Sequence, residues 1–398
     1  MTTQTCFDND PRVQEIYQAD NGSNGACWIL KIDDHYRVLK RLFNRSGIRI
    51  SEMFEKEMQF QIPLSPLYYD NSQNHPGERF NWILMDYIPG NTLTKLINGG
   101  YVSNRVKRLY MLEIFYAIAY QLTLMRENGI KHRDFKPDNI VVDGDMIPHI
   151  IDWDDSTNRF SLSINEHHGT IPFAAPEIFS GQRKCESDIF SFGAIMFNMI
   201  TECYPFASAY KTKAGLQSLT SQFPELQLPY LALTLDTLAD FEQMDESEKS
   251  SAWSTVVSFV EPILIELIKA GARDDYINNE KFQNDPFNKK ISELIELCCK
   301  QEPFSRIRPE DLQDRIDTLA KETLTANELD QYNKYCEYLF SLEQKEYGTK
   351  EMIDKANKLG FYENNETLYS IIKAENPSFK EPESSVFAAF VQSLAPTN

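Results

Sequence analysis

The chain has 398 residues, of which 42% are hydrophobic and 25% are charged, a balance typical of globular rather than disordered proteins. Its formal net charge of -19 argues against nucleic acid or an anionic membrane as the main partner, because both are bound by basic surfaces. The seven cysteines are odd in number and form no C-x-x-C pair, so we expect thiols in a reducing, cytoplasmic compartment.

The first part of the chain predicts a small antiparallel sheet. Its apolar runs, bounded by turn-forming residues, are Val13–Ala19, Cys27–Ile32, Tyr36–Arg41 and Trp82–Ile88. Between the third and fourth runs, Ser51–Phe60 has the apolar spacing of a helix with one buried side.

The second part of the chain predicts mostly helices. Val106–Asn128 is a long apolar helix, and the short runs Ile140–Val142 and Ile147–Ile151 predict a hairpin around an Asp-Gly turn. The longest apolar stretch in the helical pattern that follows, Ile189–Ile200, is too short to span a bilayer. Residues 1–12 are polar and lack an apolar signal core. The pattern therefore predicts a soluble α+β protein with two lobes.

Polar residues suited to phosphoryl transfer cluster around this hairpin. The segment 131–139, Lys-His-Arg-Asp-Phe-Lys-Pro-Asp-Asn, places Asp134, Lys136 and Asn139 in one loop, and Asp152 follows the second strand. Phosphoryl transfer needs Mg²⁺ held by carboxylate and carboxamide oxygens, a carboxylate directed at the attacking hydroxyl, and cations on the phosphates. These four side chains supply such a set.

The same segment resembles the catalytic loop and metal-binding motif of the protein kinase superfamily. The resemblance covers roughly residues 11–320 and implies a bilobal kinase fold, ATP as phosphate donor, and Mg²⁺ (or Mn²⁺ in its place) as the metal. It implies that Asp134 is the catalytic aspartate, that Lys136 contacts the γ-phosphate, and that Asn139 and Asp152 are the metal ligands.

The resemblance extends to the residues expected to bind the nucleotide phosphates. Lys40 matches the strand lysine that contacts the α- and β-phosphates, and Glu57 is its expected ion-pair partner, with Glu52 and Glu55 as alternatives. The glycine-rich loop is degenerate, since Gly22 and Gly25 match its second and third glycines and Asp20 replaces the first. We expect this loop to cover the phosphates weakly.

The expected adenine site lies at the end of the strand Trp82–Ile88. Met85 would stand behind the base, backbone groups of Asp86 and Ile88 would hydrogen-bond to it, and Cys27 would lie over the ring. Taken alone, an apolar strand before Pro-Gly is a weak signal.

The segment 169–177, Gly-Thr-Ile-Pro-Phe-Ala-Ala-Pro-Glu, resembles the end of the kinase activation segment. The resemblance implies a buried ion pair between Glu177 and an arginine near the C-terminal end of the domain, either Arg306 or Arg308. Together, Thr170 and Lys136 imply serine/threonine rather than tyrosine specificity.

Two other interpretations stay open. Small-molecule phosphotransferases similar to aminoglycoside and choline kinases share the Ile-Asp-Trp triplet, but lack a lysine at the place of Lys136 and the segment 169–177. A pseudokinase that binds partners without chemistry is the other alternative, because Trp153-Asp154 replaces the usual Phe-Gly and one glycine of the loop is missing.

Substrate choice and regulation are indicated only by single residues. Asp138 could read a basic residue before the phosphorylated site, although Asn198, at a second such place, is neutral. Glu166 occupies the usual phosphorylation position of the activation segment and could pair with Arg133, with Ser161 and Ser163 as other phosphorylation sites. The sequence gives no indication of the oligomeric state.

The expected domain organisation has three parts. A tail (residues 1–10) precedes the kinase domain, whose lobes span residues 11–88 and 89–320, and a helical extension (321–398) follows. The second lobe carries an insertion within 206–287, in which Trp253–Ala270 is an amphipathic helix.

Overall fold

The computed structural model describes residues 3–22, 25–42, 62–99, 108–158, 169–180, 186–272 and 280–342. Within them, an antiparallel five-stranded sheet precedes a mostly helical part, which confirms the predicted α+β, two-lobed fold. The strands are β1 (Val13–Gly22), β2 (Gly25–Ile32), β3 (His35–Leu42), β4 (Tyr68–Asn71) and β5 (Asn81–Asp86), in the spatial order β1-β2-β3-β5-β4. The predicted helix Ser51–Phe60 lies outside the described residues.

The register of this sheet separates two faces with different roles. Cys27 pairs with Lys40, and Lys40 pairs with Ile83, so these three side chains share one face. The other face is apolar and is covered by Phe7 of the N-terminal 3-10 turn Cys6–Asn9. Its buried residues are Trp28, Leu30, Ile32, Leu39, Trp82 and Leu84. The face that carries Cys27, Lys40 and Ile83 is therefore available to line a binding site.

A second, three-stranded sheet lies beside two long helices in the second lobe. β8 (Ile140–Asp143) pairs with β9 (Pro148–Ile150) as the predicted hairpin, and on its other side with β6 (Gly90–Thr92). The elements around it are α1 (Leu93–Asn98), α2 (Arg108–Glu127), the paired strands β7 (Ile130–Lys131) and β10 (Thr157–Asn158), and α3 (Glu186–Thr201). Because α3 is apolar on all sides, it is buried along almost its whole length.

The helices that follow α3 form a second hydrophobic core. They are α4 (Ala207–Lys211), α5 (Lys213–Thr220), α6 (Leu231–Gln243) and α7 (Glu246–Lys269). Leu216, Leu238, Val260 and Leu264 are buried in this core, and Ile171, next to Thr170, belongs to it as well. The inserted helices therefore pack directly on the segment that carries Thr170.

Helix α7 covers the predicted helix Trp253–Ala270 except for its last residue, Ala270, which is the C-cap. It begins earlier, at a capping box formed by Asp245 and Glu248. It is long and apolar enough to cross a membrane by length and composition, a test that core helices of soluble proteins also meet. Its buried residues Val256, Ile263 and Leu267 lie in the second core.

The last described helices are α8 (Glu280–Gln283), α9 (Pro286–Cys298), α10 (Pro309–Thr323) and α11 (Ala326–Ser341). Helix α11 contacts α2, and its Tyr332, Tyr335 and Leu339 are buried. Leu64, from the chain that leads into β4, shares an apolar cluster with Tyr335 and Leu339. The start of the predicted C-terminal extension is thus a helix docked on the second lobe.

Candidate active site

Asp134 lies in the loop between β7 and β8, where two neighbouring residues fix its carboxylate. Oδ1 accepts the backbone N–H of Thr170 at 3.0 Å and the Thr170 hydroxyl at 2.9 Å, and Oδ2 lies 2.7 Å from the Lys136 ammonium. Lys136 also donates to the Thr170 hydroxyl at 2.9 Å. Asp134, Lys136 and Thr170 therefore form one closed network of hydrogen bonds around the Asp134 carboxylate, and Asp134 is buried.

The backbone before Asp134 is held from beneath by Asp188 of α3. Its Oδ2 accepts the N–H of His132 at 2.8 Å, and its Oδ1 accepts that of Arg133 at 3.1 Å. Burial raises the pKa of Asp188, an effect that His132 and the two backbone donors partly offset. Arg133 has a φ of 75°, which is uncommon for a residue other than glycine, and the bond to Asp188 stabilises this conformation.

Gly169 is a position where the structure requires glycine. Its φ is +66°, and a Cβ built there would lie 2.7 Å from the carbonyl oxygen of Arg133. A side chain at this position would push the segment away from the loop. The approach of Thr170 to Asp134 therefore depends on Gly169.

Asn139 and Asp152 lie next to each other, because the N–H of Ile151 donates to the backbone oxygen of Asn139 at 3.0 Å. The Asn139 amide nitrogen donates to the carbonyl oxygen of Asp134 at 2.9 Å, which turns its amide oxygen away from that group. A carboxamide and a carboxylate oxygen suit Mg²⁺, whose other ligands usually come from water and nucleotide phosphates. The pair therefore fits a magnesium site completed by the nucleotide.

No three His, Cys, Asp or Glu residues within the described ranges form a metal-binding group of their own.

Lys40 reaches from β3 of the first lobe to the carboxylate of Asp152 and contacts its Oδ1. Burial by itself would raise the pKa of Asp152, but the Lys40 ammonium outweighs this effect and lowers the pKa below its usual value. The two lobes thus meet at this ion pair. The expected partner Glu57 and its alternatives Glu52 and Glu55 lie outside the described residues.

A second carboxylate approaches the same lysine. Asp154 Oδ2 lies 3.9 Å from Lys40 Nζ, and Asp154 is only 1% exposed. It lies in the 3-10 turn Trp153–Asp155, whose backbone has negative φ, so the conformational freedom of glycine is not needed here. Replacement of the usual glycine by Asp154 therefore causes no backbone strain in this conformation.

The remaining residues expected at the nucleotide lie on the first sheet. The register places Met85 on the same face as Cys27 and Lys40. Gly22 and Gly25 pair with each other at the end of the β1–β2 hairpin, and residues 23 and 24 of the loop lie outside the described ranges.

Two residues at the expected adenine site were missed by the sequence analysis. Ile88 packs against Val141 and Ile151. Val141 follows Asn139 by two positions, and Ile151 directly precedes Asp152. Their closeness in sequence to the expected metal ligands was the available signal, and together with Ile88 they form an apolar surface beside those residues.

Asp86, at the end of β5, is more constrained than expected. Its Oδ2 accepts the N–H of Leu67 at 3.0 Å, its Oδ1 accepts the Tyr69 hydroxyl at 2.7 Å, and its own N–H donates to the Leu67 oxygen at 2.8 Å. Because the N–H is engaged, an adenine contact from Asp86 would use its carbonyl oxygen. The side chain ties the hinge to the chain that enters β4.

The ion pair expected at Glu177 involves Arg306. Arg306 Nη1 and Nη2 donate to Glu177 Oε1 and Oε2 at 2.6 and 2.7 Å, and Ser187 donates to Oε1 at 2.6 Å. Burial raises the pKa of Glu177, but Arg306 outweighs burial and lowers it overall. Arg308, the alternative, pairs with Asp311 at the surface.

The pairing expected between Arg133 and Glu166 stays a prediction. Glu166 and the two alternative phosphorylation sites, Ser161 and Ser163, lie outside the described residues.

Comparison with known proteins matches residues 37–315, more than half of the chain, to the family model of the protein kinase domain. Eukaryotic translation initiation factor 2-alpha kinase 1 of Plasmodium falciparum is 31% identical over 156 residues, 38% of this chain and 10% of that protein. A probable serine/threonine-protein kinase of Clostridium acetobutylicum is 34% identical over 132 residues, 32% of this chain and 19% of that protein. Calcium-dependent protein kinase 4 of Plasmodium falciparum is 30% identical over 201 residues, 48% of this chain and 36% of that protein. The similarity thus spans about a third or less of the length of these relatives.

Proposed function

The chain belongs to the protein kinase family, and on this premise we propose that it transfers the γ-phosphate of Mg·ATP to serine or threonine hydroxyls of other proteins. One observation carries the proposal, the contact of both Thr170 and Lys136 with the carboxylate of Asp134. In the serine/threonine kinases that the sequence resembles, the lysine at this place reaches the γ-phosphate and the threonine links it to the catalytic aspartate. Three of the relatives, from different organisms, are named as serine/threonine or calcium-dependent protein kinases.

The proposed roles follow from position and charge. Asp134 accepts the proton of the attacking hydroxyl, and Lys136 and Lys40 neutralise negative charge on the phosphates. Asn139 and Asp152 would hold Mg²⁺, which when bound neutralises phosphate charge and orients the γ-phosphate. The apolar surface of Ile88, Val141 and Ile151, together with Cys27 and Met85, would contact adenine.

A small-molecule phosphotransferase is the second candidate, supported by the Ile-Asp-Trp triplet that ends at Trp153. The Lys136–Thr170 contact and the buried Glu177–Arg306 pair favour a protein kinase, because the segment that carries Thr170 and Glu177 is missing from that other class.

A pseudokinase is the third candidate, supported by the missing glycine and by Asp154. Against it, Lys40, Asp134, Lys136, Asn139 and Asp152 all keep the chemical groups that phosphoryl transfer needs. Four of them form two ion pairs, Lys40–Asp152 and Lys136–Asp134, and Asn139 donates to Asp134. A partner-binding protein would have no chemical need for this set.

The test is transfer of labelled phosphate from ATP, with Mg²⁺ or Mn²⁺, to basic and acidic proteins and to small aminoglycoside or amino-alcohol acceptors. We expect phosphoserine or phosphothreonine on protein, and transfer slower by about 10²-fold or more in the Asp134→Asn variant. Labelling of small alcohols alone would favour the phosphotransferase. Tight ATP binding without transfer to any acceptor would favour the pseudokinase.

We also propose that substrates carry basic residues before the phosphorylated site. Asp138 is exposed beside the catalytic loop, whereas Asn198 is buried in α3 and therefore cannot contact a substrate there. The net charge of -19 supports basic protein partners over nucleic acid or membrane.

The proposed setting is a soluble kinase in a reducing, cytoplasmic compartment. No disulfide links the six cysteines that lie within the described ranges. The proposed domain covers residues 11–320, because β1 and β2 pair into the same sheet as β3 although the family match begins at residue 37.

A further inference from the structure

His149 of β9 is fully buried and connects the hairpin that ends at Asp152 with the chain that enters the first lobe. Its Nδ1 lies 2.8 Å from the carbonyl oxygen of Leu64, and its Nε2 lies 3.0 Å from Oδ2 of Asp143. No role at the proposed active site had been assigned to His149 or to Asp143.

Leu64 is itself well anchored. It lies in a turn where the N–H of Ser65 donates to the oxygen of Ile62 at 2.8 Å, and its side chain is buried in a cluster with Ala117 and Ile147. Three residues later, the N–H of Leu67 donates to the carboxylate of the hinge residue Asp86, and the N–H of Asp86 donates to the oxygen of Leu67. The bond from His149 therefore ties the catalytic hairpin to a segment that is continuous with the first sheet.

The hydrogen bonds define the proton on Nδ1 of the ring. A carbonyl oxygen only accepts, so Nδ1 carries a proton and donates it to Leu64. Asp143 Oδ1 accepts the N–H groups of Asp145 at 2.8 Å and Ile147 at 3.0 Å, which fix the position of its carboxyl group. One proton lies in the hydrogen bond between Asp143 Oδ2 and His149 Nε2. The ring therefore bridges Leu64 and Asp143.

Helix α11 packs against the same hairpin. The hydroxyl of its Tyr335 donates to the backbone oxygen of Met146 at 3.1 Å. Burial raises the pKa of Tyr335, so this hydroxyl keeps its proton.

We propose that His149, through the bond from its Nδ1–H to Leu64, is a positioning residue that sets the distance between the first lobe and the proposed metal ligand Asp152. The proposal rests on the proposed function. Lys40 lies in the sheet that Leu64 leads into, and Asp152 lies three residues after His149, so the Leu64–His149 bond controls how Lys40 meets Asp152 and the phosphates.

Two variants with an uncharged side chain at position 149 each keep one of the two hydrogen bonds, to Leu64 or to Asp143. The amide nitrogen of His149→Asn takes the place of Nδ1 and keeps the bond to Leu64, whereas that of His149→Gln takes the place of Nε2 and keeps only the bond to Asp143. We expect His149→Gln to bind metal-free ADP about tenfold more weakly than His149→Asn, as for the loss of one buried hydrogen bond. Calorimetric titration measures this, and equal ADP affinities of the two variants would overturn the proposal.

A spectroscopic measurement tests the protonation directly. Nitrogen NMR of histidine-labelled protein should show Nδ1 of His149 protonated, with the signals assigned by their loss in His149→Gln. In Asp143→Asn, the new amide can donate to Nε2 while Nδ1 keeps its proton, so we expect the same Nδ1 signal and wild-type ADP affinity. An unprotonated Nδ1 in either protein would contradict the bond to Leu64.

These outcomes do not depend on phosphate transfer. The Asp134→Asn protein should give the same ring signals and ADP affinity as the wild type. Failure of the proposed function would therefore leave the His149 measurements interpretable, and failure of the His149 measurements would leave the assignment of a kinase intact.

Discussion

Asp134 and Asp152 are neighbouring carboxylates with different partners, and the partners decide their roles. Asp134 is held by Thr170 and Lys136 within the second lobe, while Asp152 is held by Lys40 from the first lobe. In the proposed function, the first receives a proton, and the second joins a metal and the phosphates.

We expect Asp134→Asn and Asp152→Asn each to lower the phosphorylation rate by about 10²-fold or more while leaving the fold intact. The first variant loses the acceptor of the substrate proton, and the second loses a metal ligand. Lys40→Met should behave similarly, because it removes the cation that contacts the phosphates. Rates are measured with Mg·ATP and a protein substrate, and circular dichroism checks the fold. A variant that turns over like the wild type would contradict the assigned role.

Cys27 offers a chemical test of the nucleotide site. It pairs with Lys40 on the face that lines the site, and it is partly exposed. We expect ATP to slow its reaction with a thiol-specific electrophile, because a bound adenine would cover it. Exposed Cys203 is the matched control, and mass spectrometry measures both rates in one sample. Equal labelling of Cys27 with and without nucleotide would place it away from the base.

At the scale of elements, the pair of Glu177 and Arg306 joins the end of the activation segment to the chain before α10. We expect Arg306→Met to destabilise the fold by about 3–5 kcal/mol, because it leaves a buried carboxylate unpaired. Arg308→Met is the matched control, since its pair with Asp311 is exposed and should contribute no more than about 1 kcal/mol. Denaturant unfolding measures both variants, and equal losses would show that burial of the Arg306 pair has no special role.

The same pair predicts a pH dependence. Because Arg306 lowers the pKa of Glu177 in the folded state, the unfolded state binds more protons as the pH falls. The contribution of Glu177 to stability is therefore present above its unfolded pKa and is lost as the pH falls through the lower folded value. Arg306→Met should lose less stability between pH 5 and pH 3 than the wild type. Denaturant unfolding at each pH measures this, and parallel profiles of stability against pH for the two proteins would contradict the prediction.

Much of the architecture was predictable because strand and helix patterns are local. The β8–β9 hairpin and the long α2 follow from apolar periodicity, and Asp134, Lys136, Asn139 and Asp152 follow from residue type and spacing. The longer start of α7 depends on a capping box that the apolar pattern does not reveal. Ile171 joins the second core only through tertiary packing, which periodicity cannot assign to a partner.

Local sequence patterns do not reveal tertiary partners, and this also explains which site residues were missed. A lone histidine in a strand, such as His149, carries no motif, and its partners Leu64 and Asp143 are 85 and 6 residues away. Val141 and Ile151 look like ordinary strand residues until the hairpin meets Ile88. The residues proposed to perform chemistry are recognisable by type, whereas those proposed to position them depend on the fold.

At the scale of the whole molecule, three separate segments meet where the lobes join. Leu64 comes from the chain entering the first sheet, Ile147 from the catalytic hairpin, and Leu339 from the C-terminal helix α11, and all three are buried in one cluster. Helix α11 therefore does more than cover α2, because it packs against the same turn that His149 holds through a hydrogen bond.

This arrangement predicts coupling between α11 and the bond of His149. Leu339→Ala should destabilise the protein by about 2–5 kcal/mol, the usual cost of truncating a buried leucine, whereas Tyr338→Ala, at a more exposed position of the same helix, should cost much less. Combined with His149→Gln, Leu339→Ala should cost less than the sum of the single variants by about 0.5–3 kcal/mol, because both changes loosen Leu64. Denaturant unfolding of the single and double variants measures the coupling, with Tyr338→Ala in place of Leu339→Ala as the uncoupled control. Strict additivity for Leu339→Ala would mean that α11 stabilises only the second lobe and takes no part in the joint between the lobes.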